Sequence, residues 1–272
     1  MQIQDKFDQI IAKNNSLVCV GLDSDFNKLP PHLKDSENPQ FEFNKAIINA
    51  THDLVCAYKP NSAFYESLGA KGIEQLKMTC DYLKNTYPEI PIILDAKRAD
   101  IGNTNAGYVT YAYDYLGVDA ITLHPYLGSE AIKPFLERTD KAAIILCRTS
   151  NPGAGEFQDL ISDGQMLYQI VAKKVVNEWN KNNNCFLVVG ATYPGELSEV
   201  RKIAGDMTFL VPGIGAQGGD VEKTVTAGLN SKKAGMVINS SRGIIFASSG
   251  EDFAEKAKEE TVKLRDEINK YR

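Results

Sequence analysis

Histidine, tryptophan and paired cysteine are all scarce in this chain of 272 residues. The three histidines, His32, His52 and His124, do not cluster with carboxylates at metal spacing, so no metal site is expected. The five cysteines, Cys19, Cys56, Cys80, Cys147 and Cys185, are odd in number and form no CxxC pair. That argues against a disulfide framework or a zinc knuckle. Three of them (Cys19, Cys56 and Cys147) lie in apolar runs, where cysteine serves as a small core residue. No apolar run approaches the roughly 18–20 residues of a membrane span. The first 13 residues lack the basic start and long apolar centre of a signal peptide. An excess of positive charge is missing too: 30 basic against 35 acidic residues leave −5, which disfavours nucleic acid or a membrane surface as partner. The expectation is a soluble, cytoplasmic protein.

What is present is one alternation along the whole chain. Short apolar runs at 17–22, 55–59, 92–97, 120–123, 142–147, 186–190, 209–211 and 236–239 are each followed by a longer stretch with helical spacing. Near-continuous apolar runs are how parallel strands buried on both faces read. Ile73, Leu76, Cys80 and Leu83 make one helical face, Met166, Ile170, Lys173 and Val176 another, and Phe253, Ala257, Leu264 and Ile268 a third. An amphipathic helix with Ile3, Phe7, Ile10 and Ile11 on one side opens the chain. Eight alternations predict a (β/α)8 TIM barrel, residues 1–272 forming a single domain, with a doubly wound sheet as the alternative. Long connections at 23–40 and 148–164 fall where barrel active sites are built, and the second reads as a substrate lid.

The most informative stretch is Leu94-Asp95-Ala96-Lys97-Arg98-Ala99-Asp100-Ile101-Gly102-Asn103-Thr104. Asp95 and Lys97, two apart on a strand, share a face. Strand 2 ends in Tyr58-Lys59-Pro60, which brings Lys59 toward Asp95. Charges gathered at a barrel mouth must pair with one another or with a ligand. A purely structural cluster is the simpler alternative, but buried ion pairs are weak devices for stability, so function is the better reading.

Asp95-x-Lys97-x-x-Asp100-Ile101-x-x-Thr104 resembles the signature of orotidine 5′-phosphate decarboxylases, and Lys59-Pro60-Asn61 fits their bacterial branch with longer chains. The resemblance runs from Val18 to Ala247. It implies a cofactor-free decarboxylation of orotidine 5′-phosphate to UMP, with Lys59, Asp95, Lys97 and Asp100 as the catalytic charge network. It also implies a homodimer in which Asp100 and Thr104 enter the neighbouring subunit's site. The chemistry suits these residue types, because decarboxylation without an electron sink leaves a localised carbanion. Lys97 would stabilise that charge and then protonate C6.

Two further runs resemble the family's phosphate grip: Pro212-Gly213-Ile214-Gly215-Ala216-Gln217-Gly218-Gly219 after strand 7, and Asn239-Ser240-Ser241-Arg242-Gly243 after strand 8. Loops after strands 7 and 8 are the usual phosphate site of a TIM barrel. Carried over, Gln217 covers the phosphate while Ser241 and Arg242 bind it. The same glycines satisfy GxGxxG literally, but no acidic residue between Glu222 and Glu251 is there to take a dinucleotide ribose. Asp23 is expected at a ribose hydroxyl and Ser150 at the pyrimidine edge. Related sugar-phosphate decarboxylases and aldolases, which use magnesium held by extra carboxylates, are the main rival. Lys59 at the end of strand 2, in place of an acid, disfavours them. A non-catalytic phosphoribosyl sensor is a third reading, disfavoured because all four charged positions are intact.

Overall fold

A computed structural model describes residues 2–214 and 219–272. Among them, eight parallel strands form one sheet: β1 (Val18–Gly21), β2 (Ala57–Lys59), β3 (Ile93–Arg98), β4 (Ala120–Leu123), β5 (Ala142–Arg148), β6 (Cys185–Val189), β7 (Phe209–Pro212) and β8 (Met236–Ser240). Each strand pairs with its sequence neighbour, and β1 also pairs with β8, Val18 lying opposite Ile238. The circle closes between β2 and β3 through bridges Tyr58–Ile92 and Asn61–Asp95. Cyclic order makes this a (β/α)8 barrel and excludes the doubly wound alternative. Residues of β1, β2, β4, β6 and β8 are buried throughout, as strands covered on both sides must be.

The outer layer consists of α2 (Pro39–Thr51), α3 (Gly69–Thr86), α4 (Gly102–Val109), α5 (Gly128–Leu136), α6 (Leu167–Lys174), α7 (Pro194–Ala204), α8 (Val221–Gly228) and α9 (Phe253–Asn269). α4 and α6 each run on into a π-helical segment, Thr110–Leu116 and Val175–Trp179. The helix α1 (Ile3–Asn14) precedes β1 and buries Ile3, Phe7, Ile10 and Ile11, as its spacing predicts. It caps the end of the barrel where the strands begin. Phe7 meets Phe186 edge-on at 5.2 Å, and Lys6 pairs at 2.8 Å with Asp119, whose other oxygen accepts the Ile92 N–H.

One expected helix face is rotated. α6 buries Tyr168 and Ala172, followed by Val175, while Met166 lies outside the helix in the small hairpin Ile161–Ser162/Gln165–Met166 and is exposed. Tyr168 can be buried because its hydroxyl leaves the core to reach Glu199 at 2.5 Å. The face of α9 is as expected: Phe253, Ala257 and Ile268 are buried and Leu264 is half-buried against the core, and Thr261 joins them with its hydroxyl returned to the Ala257 carbonyl at 2.7 Å. The five cysteines are all buried as free thiols. Burial pushes Cys19, Cys80, Cys147 and Cys185 up to about 12, far from a reactive thiolate. Among the described residues no helix is long and apolar enough to cross a membrane.

Arg201 on α7 joins several segments near the start of β7 and β8. Its guanidinium donates to the carbonyls of Gly228, Gly205, Met207 and Gly235 at 2.6–2.8 Å and stacks on Phe209 at 3.7 Å. A flexible ammonium cannot reproduce that planar fork. Arg201→Lys is expected to lower unfolding free energy by about 2–4 kcal/mol, the loss of two or more charge-assisted hydrogen bonds. Urea denaturation would measure it, with substrate turnover unchanged at a temperature where the variant is folded.

Candidate active site

At the opposite end of the barrel, where the strands finish, β2 and β3 assemble a charged cluster. Asp95 is its centre. One carboxylate oxygen accepts from Lys59 Nζ at 3.0 Å and more weakly from Asn61 Nδ2 at 3.4 Å. The other accepts from Lys97 Nζ at 2.6 Å and from the Thr122 hydroxyl at 2.9 Å. Asp23, two residues beyond β1, places Oδ1 3.9 Å from Lys59 Nζ; that oxygen is buried and has no hydrogen-bond partner among the described residues.

The two lysines differ in exposure. The Lys59 side chain is 4% exposed, whereas that of Lys97 is 49% exposed. Lys59 is thus a fixed buried charge, and Lys97 presents its ammonium to the open mouth. Burial alone would pull the Lys59 ammonium down, but Asp95 and Asp23 outweigh it and hold its pKa above the ordinary lysine value. Burial likewise works against the Asp95 carboxylate; Lys59 and Lys97 overcome that and hold it well below the usual carboxylate range.

A regular strand does not bring Lys97 here. β3 bulges between Leu94 and Arg98, and three residues (Asp95, Ala96, Lys97) lie opposite the single Thr122 of β4. Lys97 sits at φ +47°, in the left-handed region that a side chain with Cβ rarely adopts. The expected shared face of Asp95 and Lys97 therefore arises from a bulge rather than from strand alternation. Strain of this kind persists only where surrounding contacts over-determine it.

The remaining candidates are distributed around the same end. Asp100 accepts the Ile101 N–H and has no ion pair among the described residues; Thr104, near the start of α4, is exposed. Neither joins the Asp95 cluster of its own chain. Ser241, following β8, donates to the Gly21 carbonyl at 3.2 Å, and Arg242 beside it is exposed. A side chain on Gly21 would meet Ser241 Cβ at 2.7 Å, so the close approach of β1 to this turn requires glycine. Ser150 packs over Gly190 at the end of β6, whose would-be Cβ lies 2.8 Å from Ser150 Cβ. Gln217 lies outside the described residues. Arg148, at the end of β5, is buried against Tyr193 at 4.4 Å and reaches Gln158 and Asp159 at 3.3 Å, tying down the segment after β5. His124 Nε2 meets the Ala99 carbonyl at 3.1 Å, in keeping with a packed histidine.

Sequence reasoning passed over Thr122 and Thr192, and gave Asn61 and Asn239 no role of their own although both lie in quoted runs. Asn239 on β8 and Thr192 after β6 each hold a buried oxygen with no partner among the described residues. The available signal was a hydroxyl or amide ending an apolar strand, which alone does not separate a site from a capped loop.

The profile of the orotidine 5′-phosphate decarboxylase / HUMPS family matches residues 16–257. The orotidine 5′-phosphate decarboxylase of Janthinobacterium sp. (strain Marseille) is 47% identical over 271 residues, 100% of this chain and 99% of that protein. That of Cellvibrio japonicus (strain Ueda107) is 48% identical over 271 residues, 99% and 98% of the two chains. The solved OMP decarboxylase of Leishmania donovani superposes with a TM-score of 0.82 at 37% identity, covering 97% of this chain and 99% of that one.

Asp95→Asn leaves the Lys59 ammonium buried with only Asp23 at 3.9 Å. Breaking a buried pair in this way is expected to destabilise the fold by about 3 kcal/mol at neutral pH. The depressed Asp95 contributes stability above the unfolded carboxylate value of about 3.9 and loses it as pH falls toward its folded value. The raised Lys59 contributes below about 10.4 and loses it as pH rises through its folded value. Urea titrations of both proteins should therefore differ throughout that interval and draw together progressively as pH moves beyond it on either side.

Proposed function

The chain belongs to the orotidine 5′-phosphate decarboxylase / HUMPS family, and from that premise we propose how its residues convert orotidine 5′-phosphate to UMP and CO2. The reading rests above all on Asp95 holding an ammonium on each oxygen, Lys59 at 3.0 Å and Lys97 at 2.6 Å. The bond from C6 to the carboxylate breaks with its electron pair left on C6, and CO2 departs. Lys97, the exposed member, faces the developing anion, stabilises it, and transfers one N–H proton to form the C6–H bond. Lys59 keeps Asp95 ionised and in place.

Asp95 also repels the substrate carboxylate. Two like charges about 4 Å apart at an effective dielectric near 20 cost roughly 4 kcal/mol, or about three decades of rate. Demanding enzymes supply up to about 23 kcal/mol, so repulsion is a minor contributor. Stabilisation by Lys97 and binding of the remote phosphate and ribose supply the rest. We assign the phosphate to Arg242, Gln217 and Ser241, a ribose hydroxyl to Asp23, and the pyrimidine edge to Ser150.

The functional unit is a homodimer in this reading. Asp100 and Thr104 follow β3 at the barrel end where strands finish, where Ile101, 60% exposed, and, after β4, Tyr126, 86% exposed, offer apolar surface suited to a second copy. There they complete the neighbouring charge network. The reaction needs no cofactor and is set in the cytoplasm. For the magnesium-dependent alternative within the same family, a divalent ion on Asp95 would have to displace an ammonium.

Loss of substrate absorbance on adding purified protein is the direct assay; no turnover would leave only a binding role. At saturating substrate, Lys97→Ala is expected to lose more kcat than Asp95→Asn, and equal losses would overturn the assigned order of importance. EDTA should leave the rate unchanged. Mixing inactive Lys97→Ala and Asp100→Ala proteins should restore activity, because a mixed dimer contains one intact site; no recovery would remove the shared-site assignment.

A further inference from the structure

The strained backbone at Lys97 is pinned from two sides by residues that carry no role in the chemistry above. Thr122 is 1% exposed, and its hydroxyl is saturated. Its oxygen accepts the N–H groups of Ala96 and Lys97, both at 3.0 Å, and its single proton goes to Asp95 Oδ1 at 2.9 Å. A hydroxyl has one proton and two lone pairs, so with both acceptor positions filled it is committed to donating to Asp95. On the outer side, Arg98 donates to the Ala96 carbonyl at 2.9 Å while pairing with Glu66 and lying 5.5 Å over the Tyr108 ring. The Ala96 carbonyl and the Lys97 N–H belong to one peptide unit. That unit is held at both ends, by Arg98 and by Thr122.

We propose that Thr122 and Arg98 are positioning residues for the reaction: together they fix the 96–97 peptide so that Lys97 stays at φ +47° with its ammonium on Asp95. Without the hydroxyl, two N–H groups lose their acceptor and Asp95 loses a donor. The bulge can then relax toward a regular strand, which moves Lys97 relative to the reacting carbon. A displacement of about 1 Å at a reacting group can lower the rate about 100-fold. Substrate affinity, set by phosphate and ribose contacts elsewhere on the rim, is expected to hold. The inference rests on the decarboxylase reading given above.

Thr122→Val preserves shape and removes only the hydroxyl. It is expected to lower kcat about 100-fold with the UMP dissociation constant unchanged, and Thr122→Ser should recover most of the loss. Added to Arg98→Met, Thr122→Val should cost far less than it does alone, because the two hold one peptide unit. Wild-type kcat in Thr122→Val, no recovery in Thr122→Ser, or full additivity would overturn the proposal. Should Thr122→Val not fold, Arg98→Met decides: lower kcat with intact UMP binding supports it, and unchanged kcat overturns it. Wild-type protein in the same assay keeps the two readings apart, since failure of the parent to turn over substrate would count against the decarboxylase reading itself.

Discussion

Two lysine ammoniums share the one carboxylate of Asp95, and the rest of the molecule is arranged so that they can. Like charges this close separate unless each is fixed. Lys59 is fixed by burial in the barrel, with Asp23 as a second, more distant anion. Lys97 is fixed by a backbone conformation that its neighbours impose. The outcome is a pair of ammoniums at the barrel mouth, one locked and one presented. A flexible surface could gather the same side chains, but not hold them in place before substrate arrives.

The two ends of the barrel divide the work. At the end where strands begin, α1, the Lys6–Asp119 pair and the Arg201 hub close the core with contacts that have no part in chemistry. At the end where strands finish, Asp23 Oδ1 and Asn239 Oδ1 are buried without hydrogen-bond partners among the described residues, and the charged cluster of Asp95 sits at the same end.

Much of this was legible in the sequence, for reasons that also explain what was not. Apolar runs disclosed the strands because burial on both faces leaves little room for polar residues. Lys59, Asp95 and Lys97 were legible as a cluster because ionisable groups rarely gather at the ends of two neighbouring apolar runs. The bulge was not: no glycine marks Lys97, and its conformation comes from Thr122 and Arg98, one on another strand and one whose charge reads as surface. The face of α6 was misread because Tyr168 buries its ring and exports its hydroxyl, while Met166, apolar by type, stands outside the helix. Asp100 and Thr104 carry a family motif yet stay apart from the cluster of their own chain, and one sequence does not show which surface meets a second copy.

The pairing of β1 with β8 and the seating of Phe7 on Phe186 have a consequence for biosynthesis. β1 finds β2 soon after it is made, but its other neighbour, β8, lies far along the chain and leaves the ribosome much later. Until Ile238 is available to lie beside Val18, the sheet has two raw edges, and α1 has only part of its docking surface. Such long-range pairing slows folding and leaves strand edges open to other chains. A nascent chain stalled before residue 236 is therefore an unclosed ribbon, and this barrel closes only once β8 has been made.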